Sequence, residues 1–186
     1  RAIKKRMMSE RPIGCLLSGG LDSSIVAALV AKEMAPKRLH TFSIGMKGAT
    51  DLKYAKIVAT HINSIHHEVI VTKQDMINAI PDVIYQIESW DETSILASTP
   101  MYLLCEYIRA NTDIKVIYTG EGADEIGGGY MYFHNAPSLD EFQNETCRLL
   151  KDLQYYDVLR CEKCISSAGL EARVPFLDSR FVAIYN

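Results

Sequence analysis

No stretch of this sequence is long and apolar enough to cross a bilayer: the longest apolar runs, such as Ile25 to Ala31, fall well short of the roughly 20 residues that a spanning helix needs. No apolar segment of signal-peptide type follows the basic start, so the chain is expected to work in solution in the cytoplasm, away from any membrane. An excess of one charge is missing too. With 20 Lys+Arg against 23 Asp+Glu and a net charge of -3, no field draws in nucleic acid or an anionic surface. The basic opening Lys4, Lys5, Arg6 and Arg11 has no interleaved aromatics and reads as a solvated helix face. Internal repeats and low-complexity linkers are absent, and 48% hydrophobic residues exclude disorder and collagen.

Cysteine is sparse and odd in number. Cys15, Cys105, Cys147, Cys161 and Cys164 mostly sit inside apolar patterns, as reduced thiols do. Cys161 and Cys164 have the spacing of half a zinc site, but no second CxxC and no HxxxH completes it. What remains is an ordinary globular chain of 186 residues, long enough to bury on the order of 70% of its unfolded surface and to wall a cleft. It opens on Arg1 instead of methionine and stops at Asn186 in a helix-like run. One domain, as a piece of a longer protein, is the expectation.

Apolar β-branched runs alternate with stretches of helical period. Strands are expected at Ile13 to Leu17, Leu39 to Ile44, His66 to Val71 and Lys115 to Thr119. Helices are expected from Asp22, at Asp51 to Ile62, and at Lys73 to Ile87 with an interruption near Pro81, whose ring removes a backbone donor. A further helix should hold Pro100 in its first turn and run to about Asn111, and Leu139 to Leu153 is amphipathic. Strands joined by helix-length connections give an α/β fold with a doubly wound parallel sheet, whose ligands bind at the strands' carboxyl ends. His66 and His67 would lie on opposite faces of their strand and so cannot jointly chelate one metal.

Ser18-Gly19-Gly20-Leu21-Asp22-Ser23-Ser24 stands directly after the first strand and before the first helix. Two glycines permit unusual backbone and close approach, the helix start favours an anion, and three hydroxyls can donate to phosphate oxygens. The GxxxxGK pattern followed by Ser or Thr is lacking, and Asp22, a hard oxygen ligand suited to Mg2+, stands where that loop would bring a lysine. A second turn, Thr119-Gly120-Glu121-Gly122-Ala123-Asp124-Glu125, follows the buried strand and brings three carboxylates to the same edge. Taken alone it would be a solvated helix start; beside the first turn it suggests Mg-ATP. It is not the dinucleotide GxGxxG, because Glu125 stands where the last glycine would be.

SGGxDS after the first strand is the signature of the PP-loop ATP pyrophosphatases, which this chain resembles. FSIG at Phe42 to Gly45, DLKYAK at Asp51 to Lys56, HHE at His66 to Glu68, ASTPMYL at Ala97 to Leu103, GEGADE at Gly120 to Glu125, GGYMYFHNAP at Gly128 to Pro137 and EARVPFLD at Glu171 to Asp178 resemble the synthetase domain of the glutamine-hydrolysing asparagine synthetases. The resemblance spans nearly the whole chain. It implies the Rossmann-like adenine nucleotide alpha hydrolase fold and an adenylating ligase: the side-chain carboxylate of aspartate attacks the α-phosphorus of ATP, pyrophosphate leaves on Mg2+, and ammonia displaces AMP. It also implies that Asp22 and Asp124 hold Mg2+ and that Glu121 is required for forming the aspartyl adenylate. Leu16, Ile44, Thr119 and Gly120, with the loop residues Ser18, Gly19, Gly20, Asp22, Ser23 and Ser24, would form the ATP site.

The ammonia would derive from glutamine in a glutaminase domain outside this chain, as would a C-terminal lysine segment; a homodimer is left open. Departures from the family pattern are Thr119 and Ala123 in place of serines, IGGGY after Glu125 in place of an aromatic before GGY, Ala168 in place of a tryptophan, and Leu96 in place of an arginine that would face the phosphates. The alternatives are another PP-loop ligase similar to β-lactam synthetase, and a catalytically degenerate nucleotide-binding module.

Overall fold

The computed structural model describes residues 1–185; Asn186, with which the last helical run was expected to end, lies outside the described residues. A short helix, α1 (Ala2–Lys5), precedes strand β1 (Ile13–Leu16), and α2 (Leu21–Met34), β2 (His40–Gly45), α3 (Thr50–His61) and β3 (Ile65–Ile70) then alternate as expected. After β3 come α4 (Lys73–Ile87), α5 (Glu92–Asn111) and β4 (Val116–Tyr118). The last third holds α6 (Ala123–Gly127), α7 (Leu139–Asp152), α8 (Asp157–Ser167), β5 (Glu171–Arg173), a 3-10 turn at Pro175–Leu177, and α9 (Ser179–Tyr185).

All five strands are parallel, in the order β3-β2-β1-β4-β5. Alternation along each strand sends side chains to two cores. Ile13, Cys15 and Leu17 join Val116 and Tyr118 under α1, α2 and α3, where Val26, Ala27, Val30, Ala55 and Ala59 are buried. Phe42 and Ile117 face the other way, against Leu104, Cys105 and Ile108 of α5 and Cys161 and Ile165 of α8. Helices therefore cover both faces, which makes the sheet doubly wound. Fully buried side chains such as Val30, Ile108 and Ile165 each contribute about 2 kcal/mol of hydrophobic stabilisation.

Several expectations at the level of elements are corrected. Pro81 lies inside the continuous α4 instead of interrupting it. The strong start signal lies before it, where Thr72 and Asp75 cap the helix reciprocally, with a buried face of Ala79, Val83 and Ile87 to hold it down. Pro100 is in the interior of α5 and not in its first turn. Asp91 opens that helix by accepting the Ser94 N–H at 2.8 Å, a cap more than two turns before the proline. His66 and His67 do point to opposite faces: His66 bonds Thr41 and Ser43, whereas His67 meets His40 at 3.0 Å. The basic opening is not simply solvated, since Lys5 and Arg6 both reach the buried Asp178. Among the described residues no helix is long and apolar enough to cross a membrane.

Candidate active site

The strand order reverses between β1 and β4, which are neighbours although β2 and β3 intervene in sequence. Chains leave these two adjacent strands toward opposite sides and open a crevice at their carboxyl ends. The two turns singled out in the sequence lie there. A cleft of about 290 Å³ is walled by Leu16 at the end of β1, by Ser18, Gly20, Asp22 and Ser23 from the first turn, by Thr119 to Gly122, Asp124 and Glu125 from the second, and by Met101 and Tyr130. The turns are close enough that a Cβ added to Gly120 would come within 3.2 Å of the Asp22 side chain.

Within the first turn the residues divide by role. Gly19 has φ +88°, and a Cβ there would lie 2.4 Å from the backbone nitrogen of Ala55 in α3, so this glycine is needed for the packing of turn on helix. Gly20 faces the cleft. Ser18 and Ser23 join their hydroxyls at 2.9 Å, and the Gly20 N–H donates to Ser18 Oγ. Ser24 turns its hydroxyl back to the Gly20 carbonyl at 2.6 Å, inside its own helix, and is not among the cleft-lining residues. Gly19 is likewise outside the lining, and Ile44, one strand over, packs on the core that holds Phe42. Seven of the ten proposed nucleotide residues thus line one cleft and three support or flank it.

The three carboxylates of the second turn differ in exposure: Glu125 is buried, Glu121 half-buried and Asp124 exposed. Glu121 is pushed above the usual carboxylate range by burial, a shift that Arg160 opposes. The Arg160 guanidinium nitrogen stands 3.2 Å from both Glu121 oxygens and 3.0 Å from Asp157 Oδ1. Burial works against the charge of Arg160, which is only 8% exposed, but Glu121 and Asp157 outweigh it and raise its pKa further. Asp124 is raised by burial and then by its neighbours Asp22 and Asp157. Glu125, 3% exposed, is raised by burial although the Tyr130 hydroxyl donates to it at 2.6 Å. A second cavity, of about 520 Å³, adjoins the first through Glu125 and Tyr130 and also meets Asp157 and Arg148.

Arg160 and Asp157 were not found by sequence reasoning. Their spacing on a helix reads as an exposed i, i+3 ion pair, and only tertiary packing buries its arginine. Leu96 lies on α5, 65% exposed and outside the cleft lining; the buried cation beside Glu121 is Arg160 of α8. Asp22 and Asp124 approach each other closely enough to couple, yet among the described residues no group of three or more metal-ligating side chains forms. Two carboxylates still fit magnesium, which is commonly held by one or two of them with waters and substrate phosphates in the remaining positions. Cys15, Cys105, Cys161 and Cys164 are buried free thiols, and Cys147 is exposed on α7, away from the cleft.

Known proteins resemble this chain along nearly its whole length. The family model described as asparagine synthase matches residues 1–144 and 136–185. The chain is 51% identical to an asparagine synthetase [glutamine-hydrolyzing] of Triphysaria versicolor over 98% of its own length and 32% of that protein. It is 50% identical to the protein of the same name from Rattus norvegicus over 99% of its length and 34% of the relative, and 50% identical to that of Asparagus officinalis over 98% and 32%. The chain spans about a third of the length of the curated relatives it matches. A parallel sheet with a serine-glycine turn and a carboxylate turn meeting at its switch point is the setting, and the family model along the chain with half-identity to these relatives places it in the asparagine synthase family.

Proposed function

We propose that this chain is the part of a glutamine-dependent asparagine synthetase that binds ATP and activates the side-chain carboxylate of aspartate. The observation that carries this reading is the meeting of the Ser18–Ser24 and Thr119–Glu125 turns, about 100 residues apart in sequence, across one cleft. The backbone around Gly20 and the hydroxyls of Ser18 and Ser23 offer donors to phosphate oxygens at the start of α2. Leu16, Thr119 and Gly120 form the neighbouring wall for the nucleoside. Asp22 and Asp124 would hold Mg2+, which when bound neutralises charge on the departing pyrophosphate.

Glu121 is set by Arg160 at the cleft wall, and the amino acid has room between the cleft and the adjoining cavity. A carboxylate facing a triphosphate repels it unless a cation compensates, so Glu121 is assigned to the chemistry at the aspartyl group and not to nucleotide affinity. Ammonia then displaces AMP to give asparagine. Glutamine hydrolysis is assigned to a separate domain outside these 186 residues, in relatives of which the chain spans about a third.

The test is titration with Mg-ATP with and without aspartate, beside measurement of pyrophosphate release, in the full-length protein and in Glu121→Gln. The reading requires aspartate-dependent release that Glu121→Gln lowers far more than it lowers ATP affinity. ATP binding without any release would overturn it in favour of a nucleotide-binding module.

A further inference from the structure

The EARVPFLD segment lines neither the cleft nor the second cavity, yet it touches the Glu121 turn from both sides. On one side, the Thr119 N–H donates to the Arg173 carbonyl at 3.1 Å, one strand over on β5. On the other, Leu177 sits on the Cα of Gly122, which has φ +88°: a Cβ there would lie 2.4 Å from Leu177 Cδ2 and 2.6 Å from Cγ. Gly120 and Glu121 lie between these two points.

The turn has little of its own to hold it. The Glu121 N–H reaches Thr119 Oγ1 only at 3.4 Å and the Ala123 N–H reaches the Gly120 carbonyl only at 3.4 Å, both at the long end for hydrogen bonds. The Arg160 pair fixes the carboxylate tip of Glu121 but not its backbone. External packing therefore decides where the backbone of Glu121 stands.

Leu177 is in turn anchored. It ends a 3-10 turn closed by bonds from the Leu177 N–H to the Val174 carbonyl and from the Asp178 N–H to the Pro175 carbonyl, each 3.2 Å. The next residue, Asp178, is buried and bonded by Arg6 at 2.6 Å and Lys5 at 3.2 Å. The Arg173 guanidinium also holds the carbonyls of Arg6 and Met8. One segment thus grips both the catalytic turn and the start of the chain.

We propose that Leu177 is a positioning residue for Glu121, held over Gly122 by the clamp of Asp178 on Lys5 and Arg6. The proposal rests on the assignment of Glu121 to the chemistry. It makes the placement of α1 a determinant of turnover although α1 touches no part of the cleft.

The experiment compares Leu177→Ala, Leu177→Met and Asp178→Asn with the full-length protein, by aspartate-dependent pyrophosphate release and by amide hydrogen exchange. Removing the Leu177 side chain should speed exchange in the peptide covering Thr119 to Ala123 at least about tenfold while the peptide covering Ser18 to Ser24 is unchanged. It should lower kcat by on the order of 100-fold with little change in KM for ATP, the cost of a misplaced reacting group. Leu177→Met, which keeps the volume, should restore both, and Asp178→Asn should reproduce part of the loss in each.

Unchanged exchange at Thr119 to Ala123 in Leu177→Ala overturns the proposal, as does a loss of ATP affinity equal to the loss of kcat. A Glu121→Gln arm keeps the two readings apart. If that variant retains full turnover, the role of Glu121 fails, whereas the exchange data still decide whether Leu177 holds the turn. Should Leu177→Ala not fold, Asp178→Asn and the rescue variant carry the same two readouts.

Discussion

One guanidinium nitrogen of Arg160 stands 3.2 Å from both carboxylate oxygens of Glu121, and both side chains are largely out of solvent. A buried pair of this kind is held together by what each partner would cost if left alone. Arg160→Gln strands the carboxylate. Loss of stability on the order of 3 kcal/mol is expected from urea denaturation, with the double variant Arg160→Gln/Glu121→Gln recovering a large part. Because Arg160 is what opposes the burial shift on Glu121, its removal should also move the acidic limb of the pH–rate profile to higher pH.

The two glycines of the first turn should separate fold from ligand. Gly19→Ala puts a left-handed residue against the backbone of Tyr54 and Ala55, so at least about 1 kcal/mol from the backbone conformation alone is expected, plus the overlap. A chain of this size should lose about 3 °C of Tm for each kcal/mol. At Gly20 an added Cβ would meet nothing closer than Ser18 Oγ at 3.4 Å. Gly20→Ala should keep its Tm and weaken Mg-ATP binding, as read by calorimetric titration.

Neighbouring serines should differ in the same way. Ser23 lines the cleft and shares a hydrogen bond with Ser18, whereas the Ser24 hydroxyl is spent on the Gly20 carbonyl. Ser23→Ala should weaken ATP binding by about tenfold, the value of a hydrogen bond to a charged group. Ser24→Ala should leave it unchanged.

His66 should make the fold sensitive to mild acid. Burial lowers its pKa below 6.5, with Glu68 opposing and Lys56 assisting, while it bonds Thr41 and Ser43. The unfolded chain then binds a proton that the native state refuses. Its contribution is present above about pH 6.5 and lost as pH falls through the lower native value. The urea midpoint should drop between pH 7.5 and 5.5 in the native sequence, and His66→Gln should flatten that dependence. An unchanged slope would assign it to His40 or His67, which burial also lowers.

Much of this was legible in the sequence where local and global signals coincide. A β-branched run, then SGG, then a helical period determine β1, its turn and α2 without tertiary knowledge. β5 was not found, because Glu171–Arg173 is a three-residue edge strand with one apolar position and no alternation to detect. α8 escaped for a similar reason, as its buried face starts with Arg160, a charged residue that no hydropathy pattern marks as core. At the site, turn residues were readable from type and order. The partners that tune them, Arg160, Asp157 and Tyr130, were not, since each reaches Glu121, Asp124 or Glu125 through packing of a separate helix or loop.

The pairing of Cys15 on β1 with Tyr118 on β4 joins residues about 100 positions apart. Closing a loop of that length must precede any reward from the contacts it brings, so this pairing belongs to the late and slow part of folding. The third of the chain from β1 to β3 can assemble from neighbours in sequence, but a cleft with only its first turn in place has no opposite wall. Nucleotide affinity during refolding should therefore lag behind recovery of helical signal, which makes ATP capture a reporter of completed topology and exposes the sheet's centre to mispairing for as long as that lag lasts.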